Sequence, residues 1–133
     1  MKSFQANLDS LYSMLDYART CIALHAVSEE DISKIELALE EALVNVIYYA
    51  YPDEKGEILL ECVFTSDKPA TLKIQIQDYG IPFNPLEYSK NHTDKETLGG
   101  HGINYIKQIM DNVIYKRENN SNLLILEKKL IFK

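Results

Sequence analysis

The chain has 133 residues, of which 46% are hydrophobic and 26% are charged. This length and balance predict one globular domain over residues 1–133 and exclude a disordered chain. The 14 Lys and Arg against 20 Asp and Glu give a formal net charge of −6, which argues against nonspecific nucleic-acid binding. The N-terminus has no apolar run typical of a signal peptide, and no segment approaches the roughly 18 apolar residues of a spanning helix. We therefore expect a cytoplasmic protein that acts away from membranes.

Two amphipathic helices are predicted in the N-terminal part of the chain. Apolar residues recur near a 3.6-residue period from Leu8 to Ala26, after a short edge strand from Ser3 to Ala6. A second and longer helix begins after the capping residue Ser28 and continues to Ala50. Pro52 ends it, because proline disfavours helix in the residue before it.

After the second helix the hydrophobic period changes to two, which predicts strands. They run from Glu57 to Phe64 and from Thr71 to Asp78, and the short turn between them makes an antiparallel hairpin. Asp78 continues the inward parity of Ile74 and Ile76, so an acidic side chain faces the covered side of the sheet. A buried carboxylate is costly unless something pairs with it, and Asp78 is therefore a candidate functional residue.

A loop of about 20 residues follows, and a loop of that length in a compact domain is usually functional or disordered. A third helix is predicted from Ile103 to Met110. Two last strands, Val113 to Arg117 and Leu123 to Leu130, flank a turn from Glu118 to Asn122. This order predicts the α+β class: a two-layer sandwich with helices on one face of a mixed, mostly antiparallel sheet.

Glu41 and Asn45 lie four residues apart on the second helix and therefore share a face. They suit the solvated flank of an amphipathic helix. They also suit a magnesium-nucleotide site, because a carboxylate can accept a proton from a nucleophile and an amide oxygen is a hard ligand for Mg²⁺. The two residues alone leave both interpretations open.

Two glycine-containing segments add to this pair. Asp78-Tyr79-Gly80-Ile81-Pro82-Phe83 has the composition of a turn, but a turn does not explain the inward Asp78, whose carboxylate could accept a hydrogen bond from the amine of adenine. Gly99-Gly100-His101-Gly102 immediately precedes the third helix. It is either a flexible linker or an anion site, because glycines let the backbone approach a ligand and helix N-termini attract phosphate.

Together these segments resemble the nucleotide-binding domain of the GHKL superfamily, which includes gyrase, Hsp90, histidine kinases and MutL. The pattern is Glu-x-x-x-Asn on a helix, Asp-x-Gly-x-Pro-Phe at a strand end, a long loop, and Gly-x-Gly before a helix. The short chain and the segment from Asp78 to Phe83 are most similar to the anti-sigma-factor serine kinases of bacteria. The resemblance covers about residues 4–130 and implies the Bergerat sandwich fold.

The resemblance also implies an ATP-dependent serine/threonine protein kinase that uses Mg²⁺. In it, Glu41 would activate the attacking hydroxyl, Asn45 would bind Mg²⁺, and Asp78 would read the adenine amino group. The further nucleotide-binding positions that it implies are Gly80, Gly100, His101 and Gly102, with residues 84–98 as a mobile lid over ATP. Similar kinases bind a sigma factor as homodimers and phosphorylate a serine of a STAS-type anti-anti-sigma protein, so we expect the same partners.

Three positions depart from the family pattern. Tyr49 stands where a histidine is common, His101 stands where an arginine or a small apolar residue is expected, and Leu123 to Leu126 lack a threonine near adenine. A second hypothesis is therefore a weak or inactive kinase that binds nucleotide and sequesters a protein partner. A third is an α+β interaction domain whose glycines only make turns.

Two apolar groups could belong to the core or to a dimer surface, and their helical spacing favours the core. They are Leu11, Tyr12 and Leu15 on the first helix and Tyr48, Tyr49 and Tyr51 at the end of the second. Cys21 and Cys62 lack the spacing of a metal or redox pair, so both are expected to be buried small hydrophobes.

Overall fold

The structure, a computed structural model, describes residues 1–25, 27–52, 55–65, 70–87 and 99–130, with the backbone alone for 99–102. The helices are α1 (Leu11–Ala23), α2 (Glu29–Asn45) and α3 (Gly99–Ile109). The strands are β1 (Lys2–Gln5), β2 (Glu57–Phe64), β3 (Thr71–Asp78), β4 (Asn112–Glu118) and β5 (Ser121–Lys129). None of the helices in these ranges is long and apolar enough to cross a membrane.

The five strands form one sheet in the order β1-β2-β3-β5-β4, and every pair is antiparallel. The inward residues of the central strands are fully buried, among them Leu60, Ile74 and Leu126. They share one hydrophobic core with the buried faces of α1, α2 and α3. The predicted α+β sandwich is confirmed, and the sheet is antiparallel in all its described pairs rather than mixed.

The long predicted helix is confirmed at both ends, with one change in its last turn. The Ser28 hydroxyl accepts a hydrogen bond from the Asp31 amide over 3.2 Å, as a helix cap does. The α-helical pattern continues to Asn45, and Val46–Ala50 then form a π-helical turn. Such turns are frequent at functional sites, and this one directly follows a candidate ligand residue.

The first helix is shorter than predicted. It begins at Leu11 after a 3₁₀ turn over Leu8–Ser10, because the Asn7 side chain accepts from the Ser10 amide over 2.9 Å and caps that turn instead. The predicted end at Ala26 lies outside the described residues.

The predictions for the remaining boundaries need two corrections. Helix α3 begins at Gly99 instead of Ile103, so the glycine segment lies in its first turn and not before it. The last hairpin turn is also tighter than predicted. Asn119 and Asn120 have positive φ angles of 52° and 60°, as a two-residue hairpin turn requires, and residues 121 and 122 belong to β5.

The two ambiguous apolar groups divide between core and surface. Tyr51 is buried, whereas Tyr48 is 45% exposed and Tyr12 is 86% exposed. The assignment of Tyr12 to the core was wrong, because α1 buries the face of Met14, Ala18 and Ile22 instead. Both cysteines are free thiols; Cys62 is buried and Cys21 is half-buried.

Candidate functional site

The Asp78 carboxylate lies at the end of β3 and points into the protein, as the alternation of the strand predicts. Only 2% of the residue is exposed. Its Oδ1 accepts hydrogen bonds from the Gly80 amide and from Asn122 Nδ2, each over 2.9 Å. Burial raises the pKa of Asp78, while these hydrogen bonds and the positive charge of Arg117 oppose the shift. The cost of burying the Asp78 carboxylate is therefore partly offset, and Oδ2 can still accept a hydrogen bond.

Asn122 lies directly opposite Asp78 in the pairing of β3 with β5. Its Nδ2 also donates to the Ile81 carbonyl over 2.8 Å, and its Oδ1 accepts from the Phe83 amide and from the Tyr115 hydroxyl. The predicted five-residue turn had placed Asn122 in a loop, so its role was missed. The Asn119-Asn120 pair was the available signal, because asparagine tolerates the left-handed conformation that a two-residue hairpin turn requires.

The segment after Asp78 packs directly on the π-helical turn that ends α2. The Ile81 amide donates to the Ala50 carbonyl over 2.9 Å, and the Tyr79 amide donates to the Tyr51 hydroxyl over 2.7 Å. A Cβ atom on Gly80 would overlap the Ala50 carbonyl oxygen. Glycine is therefore required here by lack of space, and no left-handed φ is involved.

Tyr49, one of the departures from the family pattern, lies in the same contact. Its ring stacks on that of Phe83, with centroids 5.2 Å apart and an interplanar angle of 26°. This position therefore packs the end of α2 against the segment that follows β3.

Asn45 is the second buried polar residue of the site, with 2% of its surface exposed. Its Oδ1 has no hydrogen-bond partner among the described residues. A buried acceptor without a partner is uncommon and costs free energy in the isolated protein. A hard cation or a hydrogen-bond donor would satisfy it, so this amide oxygen fits a Mg²⁺ ligand.

Glu41 lies one turn before Asn45 and is partly exposed. Burial, followed by the negative charge of Glu40, raises the pKa of Glu41. A carboxylate with a raised pKa is a better proton acceptor, which fits the role of a general base.

The structure describes the glycine segment by its backbone alone, so the groups that it adds to the site are backbone amides. Gly100, His101 and Gly102 lie in the first turn of α3, where amide groups lack partners within the helix. Helix α3 packs against α2, and its Ile103 and Ile106 are buried. Of the predicted lid, residues 84–87 are described and 88–98 lie outside the described residues.

A separate groove of about 690 Å³ lies between α1 and α2 and contains none of the predicted site residues. Tyr12, Arg19 and Glu40 are among the residues that line it.

Within the described part of the chain, no three His, Cys, Asp or Glu side chains cluster to hold a metal ion.

Comparison with known proteins places this chain in one family. The model of the histidine kinase-like ATPase domain family matches residues 4–128. The chain therefore belongs to the family of histidine kinase-like ATPase domains, as the sequence resemblance predicted.

Within that family, the chain is similar to curated proteins of two names. It is 28% identical over 107 residues to an anti-sigma F factor of Clostridium perfringens, a match that covers 76% of this chain and 74% of that protein. It is 32% identical over 114 residues to the serine-protein kinase RsbW of Oceanobacillus iheyensis, a match that covers 78% of this chain and 68% of that protein.

A solved structure agrees on the fold. The histidine kinase domain of the blue-light activated histidine kinase from Erythrobacter litoralis superposes with a TM-score of 0.54 at 16% identity. The match covers 76% of this chain and 45% of that one. At this identity the likeness concerns the fold alone.

Proposed function

We propose that this protein is an ATP-binding serine/threonine protein kinase that acts as an anti-sigma factor and phosphorylates a serine of a STAS-type anti-anti-sigma protein. The observation that carries the proposal is the buried Asp78 carboxylate, held through Oδ1 at the end of β3. The similarity to anti-sigma F factors and serine-protein kinases supports the choice of partners. A homodimer that binds a sigma factor is part of the same proposal.

Asp78 recognises the base. Its free carboxylate capacity accepts a hydrogen bond from the exocyclic amine of adenine, and guanine offers a carbonyl at that position instead. Gly80 has no side chain, so the chain can lie close to the end of α2, and backbone atoms form this edge of the site. The backbone amides of Gly100, His101 and Gly102 face the phosphates, which a helix N-terminus attracts.

Asn45 and Glu41 act at the reacting end of the nucleotide. Asn45 Oδ1 would hold Mg²⁺, which would supply positive charge to the phosphate oxygens. Glu41 accepts the proton of the partner's serine hydroxyl as that oxygen bonds to the γ-phosphorus. The bond from the γ-phosphorus to the bridging oxygen breaks, and ADP leaves.

The test is transfer of labelled γ-phosphate from ATP to the anti-anti-sigma protein encoded by the same organism. Glu41→Gln should lower transfer by at least about 100-fold, because general base catalysis contributes that much, and should leave ATP affinity nearly unchanged. Glu40→Gln is the matched control, since it removes the neighbouring charge and retains the base.

Glu40→Gln should retain transfer and move the acidic limb of the rate profile to lower pH. The reason is that loss of the Glu40 charge removes one cause of the raised pKa of Glu41. Loss of ATP binding in Glu41→Gln, or full transfer by it, would contradict the catalytic role. Failure of the wild-type protein to bind ATP at millimolar concentration would favour the interaction domain without a nucleotide site.

The packing of Tyr49 favours a second candidate function. Because Tyr49 stacks on Phe83, the position where a histidine is common in the family is used here for packing. The protein would then bind ATP as a conformational ligand and sequester its partner without catalysis. Binding of both ATP and partner without any phosphoserine in a single-turnover assay would select this function.

A further inference from the structure

We propose that Asn122 is a positioning residue: it fixes one carboxylate oxygen of Asp78 and the backbone of residues 81–83, and so presents the other oxygen to the ligand. The identity of that ligand as an adenine nucleotide rests on the proposed function. The arrangement of Asn122 itself is a property of the ligand-free protein.

The hydrogen-bond capacity of the Asn122 amide is entirely used within the protein. An amide has two N–H donors and an oxygen with two lone pairs. The donors are directed to Asp78 Oδ1 and the Ile81 carbonyl, and the oxygen accepts from the Phe83 amide and the Tyr115 hydroxyl. Asn122 therefore has no group left to read a base, and its effect on a ligand must act through Asp78.

The chemistry of this position requires an amide. One Nδ2 atom donates to a carboxylate and to a backbone carbonyl at once, which a hydroxyl with a single proton cannot do. An aspartate would lack both donors. Pairing of β3 with β5 places residue 122 directly opposite Asp78, so the contact follows from the register of the sheet.

Other charged and titratable groups also face Asp78. Arg117 on β4 donates from Nη1 to the Gly80 carbonyl over 2.9 Å, and its charge opposes the rise in the pKa of Asp78 that burial causes. Burial raises the pKa of Tyr115 on β4 and of Tyr51 after α2, and the negative charge of Asp78 adds to the rise of each. The phenols remain neutral below about pH 9, so Asp78 is the group that titrates in the acidic range.

The first experiment follows the Asp78 carboxyl carbon by NMR as a function of pH in the ligand-free protein. Asn122→Ala removes a donor that lowers the pKa of Asp78, so the titration should move to higher pH. Asn112→Ala is the matched control, because Asn112 makes an exposed hydrogen bond to Glu127 on the same sheet. An unchanged Asp78 titration in folded Asn122→Ala would overturn the proposal.

The second experiment uses Asn122→Asp, which keeps the shape of the side chain if the alanine variant does not fold. Two buried carboxyl groups in contact hold one proton between them to a higher pH than either would alone. While that proton remains, it restores a donor between residues 122 and 78. ATP affinity, measured by calorimetry, should then fall at least about tenfold as the pH rises and the proton leaves.

Wild-type protein should show no such alkaline loss below about pH 9, and Asn112→Ala should follow wild type. An Asn122→Asp protein that stays folded and matches wild-type affinity throughout would contradict the proposal. If wild-type protein does not bind ATP, the proposed function fails, but the NMR titration still decides the role of Asn122.

Discussion

Asp78 is a residue at which stability and ligand binding are opposed. Its pKa is raised in the folded protein, chiefly by burial. The folded state therefore binds more protons than the unfolded state between the ordinary aspartate pKa and the raised one. Stability consequently falls as the pH rises through this window, and the penalty is complete above it.

Asp78→Asn should separate the two effects. The new amide oxygen can still accept from the Gly80 amide and Asn122 Nδ2, while the buried charge is lost. At neutral pH the variant should unfold at the same temperature as wild type or higher, and the difference should shrink in acid. Its ATP affinity should fall at least about tenfold, since a charge-assisted hydrogen bond is replaced.

Thermal unfolding at several pH values and calorimetry with ATP measure these two outcomes. A variant that is clearly less stable than wild type at neutral pH would show that the Asp78 charge supports the fold. Unchanged ATP affinity would remove Asp78 from the base-reading role.

At the scale of elements, the contact between the end of α2 and the segment after β3 joins two parts of the candidate site. Gly80→Ala places a methyl group on the Ala50 carbonyl oxygen, and backbone cannot move aside as a side chain can. We expect a loss of about 1–3 kcal/mol in the free energy of unfolding, typical of overpacking.

Urea denaturation measures this loss, and calorimetry of the folded variant should show weaker ATP binding because Asp78 shifts with the segment. Gly56→Ala is an informative comparison, since its methyl group would meet the Tyr51 ring rather than backbone. Wild-type stability in Gly80→Ala would mean that the segment does not need this close contact.

For the whole molecule, we expect the core beneath the sheet to contribute more stability than the ion pairs on the helices. Leu43 is fully buried in that core. Arg19 joins α1 to α2 through Glu29 at 2.8 Å and Glu36 at 3.5 Å, but the Glu29 side chain is 76% exposed and the other two are about one third exposed.

Leu43→Ala should therefore cost about 2–5 kcal/mol of unfolding free energy, because it leaves a cavity. Arg19→Ala should cost less than about 1 kcal/mol, since exposed ion pairs are weak in water. Chemical denaturation of both variants in one buffer tests the ranking. A larger loss from Arg19→Ala would show that the pairing of α1 with α2 limits the stability.

Several features followed from local patterns in the sequence. The cap at Ser28, the hairpin of β2 and β3, and the inward direction of Asp78 each depend on residues close in the chain. Periodicity and capping express the geometry of one helix or strand, and they sufficed for the α+β class. The family resemblance added the roles of Glu41 and Asn45, which remain predictions.

Other features were decided only when distant segments came together. Asn122 meets Asp78 because β5 pairs with β3 in a register that places these two residues, 44 apart in the chain, opposite one another. Gly80 is required by a carbonyl at the end of α2, and packing buries Asn45 Oδ1 with no hydrogen-bond partner among the described residues. Composition and periodicity determined which elements form and which faces they bury. Which polar atoms are paired depends on tertiary contacts that no local pattern specifies.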